Sequence, residues 1–367
     1  MPLPIILGIA SLATAAFGVK KGYDGYQKHS EADEIVGRAK ERYNRKKAVF
    51  DDQEKETYFT LDILGKKELE IGKNIDEFEV LADKLLQQLN TGRQNKLEIR
   101  IPKHELQKIE SYSYTATGVL GTITGAGATG AFAGFAVYGG VMALGAASTG
   151  TAISSLAGVA ATNATMAAIG GGSLAAGGLG MAGGTVILGA TVAAPVLAIF
   201  GWAYDSHGEE ALKNARKADS EVDDAVGKLD RAIEQLGRTS DYAGKIKHAL
   251  SSIHGQFNQY FDSLKDIDNI LQNTKVRNGD MNAELEKIGD AAIRNIETGF
   301  ALASIMVDVI TTPLFKLEML NGQVIKDKEG VPVIEKDEDG SMVLNAAELD
   351  NALIHAESKT TEEIENA

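Results

Sequence analysis

Between Glu110 and Asp205 the chain carries no Asp, Glu, Lys, Arg or His, so 94 consecutive residues, 111 to 204, are uncharged. Twenty-one of the chain's 40 glycines fall inside this stretch. A domain of this size exposed to water needs a charged outer face, and the segment has none to offer. It belongs in a bilayer, inside a shell made by the rest of the chain, or in a low-complexity tract. Its many spaced Val, Leu, Ile, Phe and Met residues argue against a plain Gly/Ser linker. Lipid insertion, permanent or conditional, is the expectation. Enclosure by the chain's own helices is the alternative.

The glycines have a use in either setting. Apolar side chains give helices no hydrophobic reason to associate in lipid, so close backbone approach takes over. Gly121 and Gly125, Gly130 and Gly134, and Gly180 and Gly184 are each four residues apart, with Ala176 extending the last pattern. These positions are the expected membrane-helix packing residues. Insertion would be marginal. The window 117 to 139 holds only Val119, Leu120, Ile123, Phe132, Phe135 and Val137 as strongly apolar residues. The window 185 to 204 is richer and ends in Trp202 and Tyr204, where an interfacial aromatic belt would sit. Each window gains roughly 2 to 5 kcal/mol before polar costs. Lys96, Arg100, Lys103 and Lys108 precede the block, and Lys213, Arg216 and Lys217 follow it. Basic flanks on both sides predict an even number of crossings.

Six regions follow from the pattern. Residues 1–22 form an apolar helix or anchor, ended by Lys20 and Lys21 as an interfacial stop. The lysines come after the apolar run, whereas a secretory signal carries its positive charge before it. Residues 23–110 read as charged helices, one starting at the "SEAD" of Ser30 to Asp33 and a second over "NIDEFEVLADKLLQQL". Residues 111–204 are the uncharged Gly/Ala-rich hairpin block. In 205–315, apolar residues recur at steps of three and four, as in Ala211, Ala215, Ala218, Val222, Ala225 and Leu229, then Leu250, Ile253, Phe257 and Leu264. That is the seam of a bundle or coiled coil, with bends expected at Gly237 and Gly244. The apolar run 298 to 315 carries Asp308 and reads as a buried bundle helix. Residues 316–344 alternate between Asn-Gly, Glu-Gly and Asp-Gly breaks and predict a small β-meander. A polar helix and acidic tail occupy 345–367.

No active site is legible. Gly125-x-Gly127-x-x-Gly130 matches a dinucleotide fingerprint, but position 150 is Gly where the ribose-binding acid should stand. Gly178-x-Gly180-x-x-Gly183 has Asp205 downstream but no strand in front of it. Gly65 to Lys73 and Gly237 to Lys245 space their glycines too widely for a phosphate loop and lack its Ser or Thr. The six histidines show no metal-ligand spacing, and there are no cysteines, which excludes disulfides and thiolate chemistry. Net charge −14 argues against nucleic acid as a partner. The expectation is a non-enzyme without catalytic, metal or cofactor sites. The lack of cysteine fits a bacterial or cytosolic origin.

Charged long helices bracketing a hydrophobic, glycine-rich hairpin resemble in layout the α-helical pore-forming toxins and, more loosely, apolipoprotein L. The run "ATMAAIGGGSLAAGGLGMAGGTVILG" at 164–189 is similar to the glycine-rich core of the interferon-inducible small membrane protein family and to uncharacterised bacterial glycine-zipper proteins. The resemblance implies pore formation. The resulting expectation is a mostly α-helical, membrane-associated protein that oligomerises through glycine-packed helices and forms pores in or remodels a bilayer. Its partners would be the lipid bilayer and further copies of itself. The bulk of its helices would be cytoplasmic, at the inner membrane, with a soluble storage form as the alternative. A non-pore scaffold whose coiled coils recruit a soluble partner is the second reading. A nucleotide-binding enzyme is the remote third.

Overall fold

A computed structural model describes residues 21–91, 99–123, 132–137, 208–321, 323–325, 332–338 and 342–366. Among these the chain is mostly helical: α1 (Lys21–Asn90), α2 (Lys103–Ile123), a short α3 (132–137), α4 (Gly208–Val276), α5 (Met281–Thr311) and α6 (Ala346–Glu365). Strands β1 (Met319–Leu320) and β2 (Gln323–Val324) form an antiparallel pair. Among the described residues no helix is long and apolar enough to cross a membrane. Residues 1–20 and 138–207 lie outside the described set, and with them Lys20, Ala176, Gly180, Gly184, Trp202 and Tyr204; so do Gly125 and Gly130.

By its contacts the chain divides into two units, Met1–Ala48 with Val192–Asp230, and Val49–Thr191 with Arg231–Ala367. In the first, the opening part of α1 lies beside the opening part of α4. Ala32, Ala211 and Ala215 are buried, with Ile35, Val36 and Leu212 against them. Alanine lets the two backbones approach but buries little area, so charge complements it. Arg42 donates to Asp219 and Asp223 at 2.8 Å each, and Lys46 reaches Asp230 at 2.6 Å. Such partly exposed pairs contribute at most about 1 kcal/mol apiece.

The second unit is a bundle. Positions 61, 64, 68, 71, 75, 78, 82, 85 and 89 of α1 alternate steps of three and four, and every one of them is buried. On α4 the expected seam residues of this unit, from Leu236 through Leu271, are buried as well, as are those of the first unit from Ala211 through Leu229. Thr57 bonds the Leu236 carbonyl, Ser240 bonds Thr60, and Lys84 bonds Asp268, each pair close to 180 residues apart in sequence. The two helices therefore run in the same direction. In contrast α2 runs back along α1, with Ser113 against Glu79 and Ala116 against Gly72. Helix α5 runs beside α2 through Arg100–Glu297, Ser304–Glu105 and Lys108–Asp308 contacts. The apolar run containing Asp308 is thus a bundle helix, buried from Thr298 to Val307 but for Ala301, with the Asp308 carboxylate turned to the Lys108 ammonium.

Two local expectations need correction. Helix α4 continues without a break through Gly237, Gly244 and Gly255. Each glycine costs about 1 kcal/mol of helix propensity, and the buried seam around Leu236, Ala243, Ile246 and Leu250 outweighs that. Likewise "SEAD" is not a helix start, because α1 already begins at Lys21 and runs on as one helix to Asn90.

The expected meander at 316–344 takes an unusual form. Asn321 has φ 51, the left-handed conformation that the Asn-Gly turn between β1 and β2 requires. Beyond this pair, backbone hydrogen bonds close two rings of three segments. Lys316 N–H donates to Val343 O, Val343 to Glu335 O, and Glu335 back to Lys316 O. Ile325, Val333 and Glu318 repeat the ring two residues on. Phe315, Ile334, Met342 and Leu344 are buried around these rings. At the start of α6, the Asn345 side chain donates to Pro313 O at 3.2 Å and Glu348 Oε2 at 3.0 Å, tying the helix to the end of α5.

Candidate functional site: the seam beneath the uncharged segment

The described part of the uncharged stretch lies on α1. Two glycines there, Gly65 and Gly72, stand two helical turns apart and leave the helix surface flat. A Cβ on Gly72 would collide with the Ala116 Cβ and crowd the Tyr112 ring. One on Gly65 would fall on the backbone carbonyl of Phe132. The segment thus approaches α1 to backbone distance, as glycine allows. Tyr112, Ala116, Val119 and Phe135 are fully buried there. The Tyr112 and Phe135 rings lie 6.5 Å apart, and the Lys66 ammonium sits 5.0 Å above the Phe132 ring.

Ionisable groups line the same interface, where burial disfavours their charged forms. Glu68 occupies a seam slot between the two glycines and is 3% exposed. Its Oε2 has no hydrogen-bond partner among the described residues, and burial holds its carboxyl well above the usual carboxylate range. The Tyr112 hydroxyl donates to the Glu68 backbone carbonyl at 2.7 Å. Burial also raises this phenol, with the neighbouring Glu68 adding to it. Further along, Ser113 Oγ donates to Glu79 Oε2 at 2.7 Å. Burial pushes Glu79 up to about 7; the Ser113 bond opposes this, and Glu110, Asp76 and Asp83 reinforce it.

His254 of α4 closes the layer. Lys67 Nζ lies 2.8 Å from its Nδ1, and the Asn74 amide lies 3.0 Å from its Nε2. An ammonium can only donate, so Nδ1 accepts and the neutral ring carries its proton on Nε2. That N–H then donates to Asn74, whose carbonyl oxygen must face the ring, an orientation assigned from hydrogen-bond logic. Burial lowers His254 to about 4, Lys67 lowers it further, and Glu70 partly opposes them. A turn later Phe78 meets Phe257, Phe261 and Phe300 at ring separations of 5.1, 5.8 and 5.0 Å. Gly299 lies flush against the Phe78 ring, where a Cβ would collide.

A charge on Glu68 or Glu79, or a proton on His254, would enter a largely apolar seam. Of the residues expected to pack membrane helices, Gly134 is buried within α3, and a Cβ on Gly121 would meet nothing within 4 Å. Lys21 opens α1. Sequence reasoning missed Gly65 and Gly72 as packing glycines and Glu68 as a buried acid. The available signal was a lone Glu at a heptad position flanked by two glycines. No family model, curated protein or solved structure matches this chain.

Proposed function

We propose that this chain is a membrane-active helical protein that stores the leading part of its uncharged segment against its own helices. Released, the segment enters a bilayer, and the protein oligomerises through glycine-packed helices to form a pore or remodel the membrane. One observation carries this reading: residues 111–123 and 132–137, the opening of a 94-residue uncharged stretch, sit on a helix flattened by Gly65 and Gly72. Tight burial explains how so apolar a sequence is held away from water. Marginal hydropathy, roughly 2 to 5 kcal/mol per window, makes the stored and inserted states close in free energy. Enzymatic chemistry has no part in the proposal.

The test is dye release from liposomes by the full-length protein, beside Gly72→Leu, which wedges α2 away from α1. Wild type should bind and leak vesicles, and Gly72→Leu should do so at several-fold lower concentration. Binding without leakage by both proteins would move the assignment to a membrane scaffold that recruits a soluble partner. Failure of both to sediment with vesicles would overturn it.

A further inference from the structure

Opposite its buried seam, α1 carries a second stripe at the same three-and-four spacing. Each member lies two residues past a seam position, about 200° further around the helix. The middle of the stripe alternates in charge: Lys66, Glu70, Lys73, Glu77. Its ends are apolar, with Phe59 and Ile63 before the charges and Val80 after them. Phe59 is 64% exposed and Val80 67%. Scattered single apolar residues on a surface need no explanation, but these bracket a charge order that is its own complement. The four charged side chains have partners within the chain. Lys66 meets Asp62 at 2.7 Å and the Phe132 ring, Glu70 meets Lys67 at 3.2 Å, and Lys73 meets Glu77 at 3.5 Å. All four stay at least half exposed, so each keeps donors or acceptors for a further bond.

We infer that this face of α1 is a self-association surface, on which a second copy of the chain docks antiparallel. A two-fold axis at the level of Ile71 and Gly72 sets Lys66 against the partner's Glu77 and Glu70 against the partner's Lys73. Ile63 then meets the partner's Val80. Phe59 lies on the alkyl stem of the partner's Lys84, whose ammonium keeps its 2.6 Å bond to Asp268. Symmetry makes every contact twice. No like charges meet in this register, and the apolar ends meet each other. Slipping by one heptad in either direction puts Ile63 against Lys73 or Gln87. Parallel, in-register pairing puts every charge against its like. Charge order therefore selects both orientation and register, as it does at helix–helix interfaces generally. One helix face makes a small contact with charged middle layers, so the dimer is weak and sensitive to salt. The contact does not depend on the uncharged segment entering a bilayer.

Sedimentation velocity of the full-length protein over a concentration series tests it. Wild type should show a reversible monomer–dimer equilibrium that weakens at least tenfold between about 50 and 500 mM salt. Two double variants keep the net charge unchanged: Lys73→Glu with Glu77→Lys, and Lys66→Glu with Glu70→Lys. In either one, like charges face each other across the axis, and dimerisation should weaken at least tenfold with helix content unchanged. Mixed in equal amounts, the two variants oppose unlike charges at all four positions. The mixture should regain wild-type affinity to within about threefold. Val80→Ser alters no charge and should weaken the wild-type dimer several-fold by removing an apolar end. A monomer at every concentration, or a mixture no tighter than its components, would overturn the proposal. So would assembly undiminished in Lys73→Glu with Glu77→Lys, which would assign self-association to the glycine-packed helices.

Discussion

Replacing glycine by alanine should have opposite effects at different positions of these helices. At Gly237, Gly244 and Gly255 an added Cβ meets nothing within 4 Å. There alanine gains helix propensity and narrows the unfolded ensemble, stabilising by about 0.5 to 1 kcal/mol per site. At Gly72 the same Cβ overlaps that of Ala116, on a helix whose Tyr112, Ala116 and Val119 are fully buried. Relief requires α2 to move off α1, and overpacking of this kind costs about 1 to 3 kcal/mol. Against the propensity gain, Gly72→Ala should destabilise by up to roughly 2 kcal/mol. Gly65→Ala should behave similarly, because its obstacle is backbone. Urea unfolding followed by circular dichroism reads the midpoint of each variant at constant slope. A midpoint for Gly72→Ala that rises as far as that of Gly237→Ala would refute the close approach on which the stored segment depends.

Two titrations should act in opposite directions. Glu79 is raised in the fold from 4.5 to about 7, so its stabilisation is full below pH 4.5 and is lost as pH rises through 7. Wild type should lose up to about 3 kcal/mol over that window, relative to a flatter Glu79→Gln; parallel stability curves would exclude it. His254 is lowered from 6.5 to about 4, so its stabilisation is full above pH 6.5 and is lost as pH falls through 4. Acid unfolding of His254→Gln should be correspondingly less steep between pH 6 and 4, and an unchanged profile would show that the ring is not held neutral.

Much of the helical architecture is legible in residue spacing. The three-and-four steps of α4, the buried run around Asp308, the Asn-Gly turn and the terminal helix all follow from local pattern, because each repeats a period the backbone imposes. Continuity is less legible. Gly65, Gly72, Gly237 and Gly244 look alike as letters, yet two are sites of close approach and two are tolerated gaps. Only the partner helix distinguishes them. Glu68 escaped notice for a related reason, since a charged residue is assigned to the surface unless its heptad slot is followed through; His254 reads only as a surface or bundle histidine because it owes its state to Lys67 and Asn74, some 180 residues away.

That separation also sets a clock. Helices α1 and α4 lie side by side in the same direction, so every contact between them waits until the intervening chain has been made. At about 5 to 20 residues per second, a separation near 180 residues takes roughly 10 to 35 s of synthesis. During that interval Phe78 has been translated and its α4 partners Phe257 and Phe261 have not. Helix α2 emerges much earlier, and Tyr112 and Ala116 can reach the Glu68–Gly72 face soon after α1 is complete. The nascent chain can therefore bring Tyr112 and Ala116 to α1 before α4 exists, which makes that contact an event of synthesis rather than of later assembly.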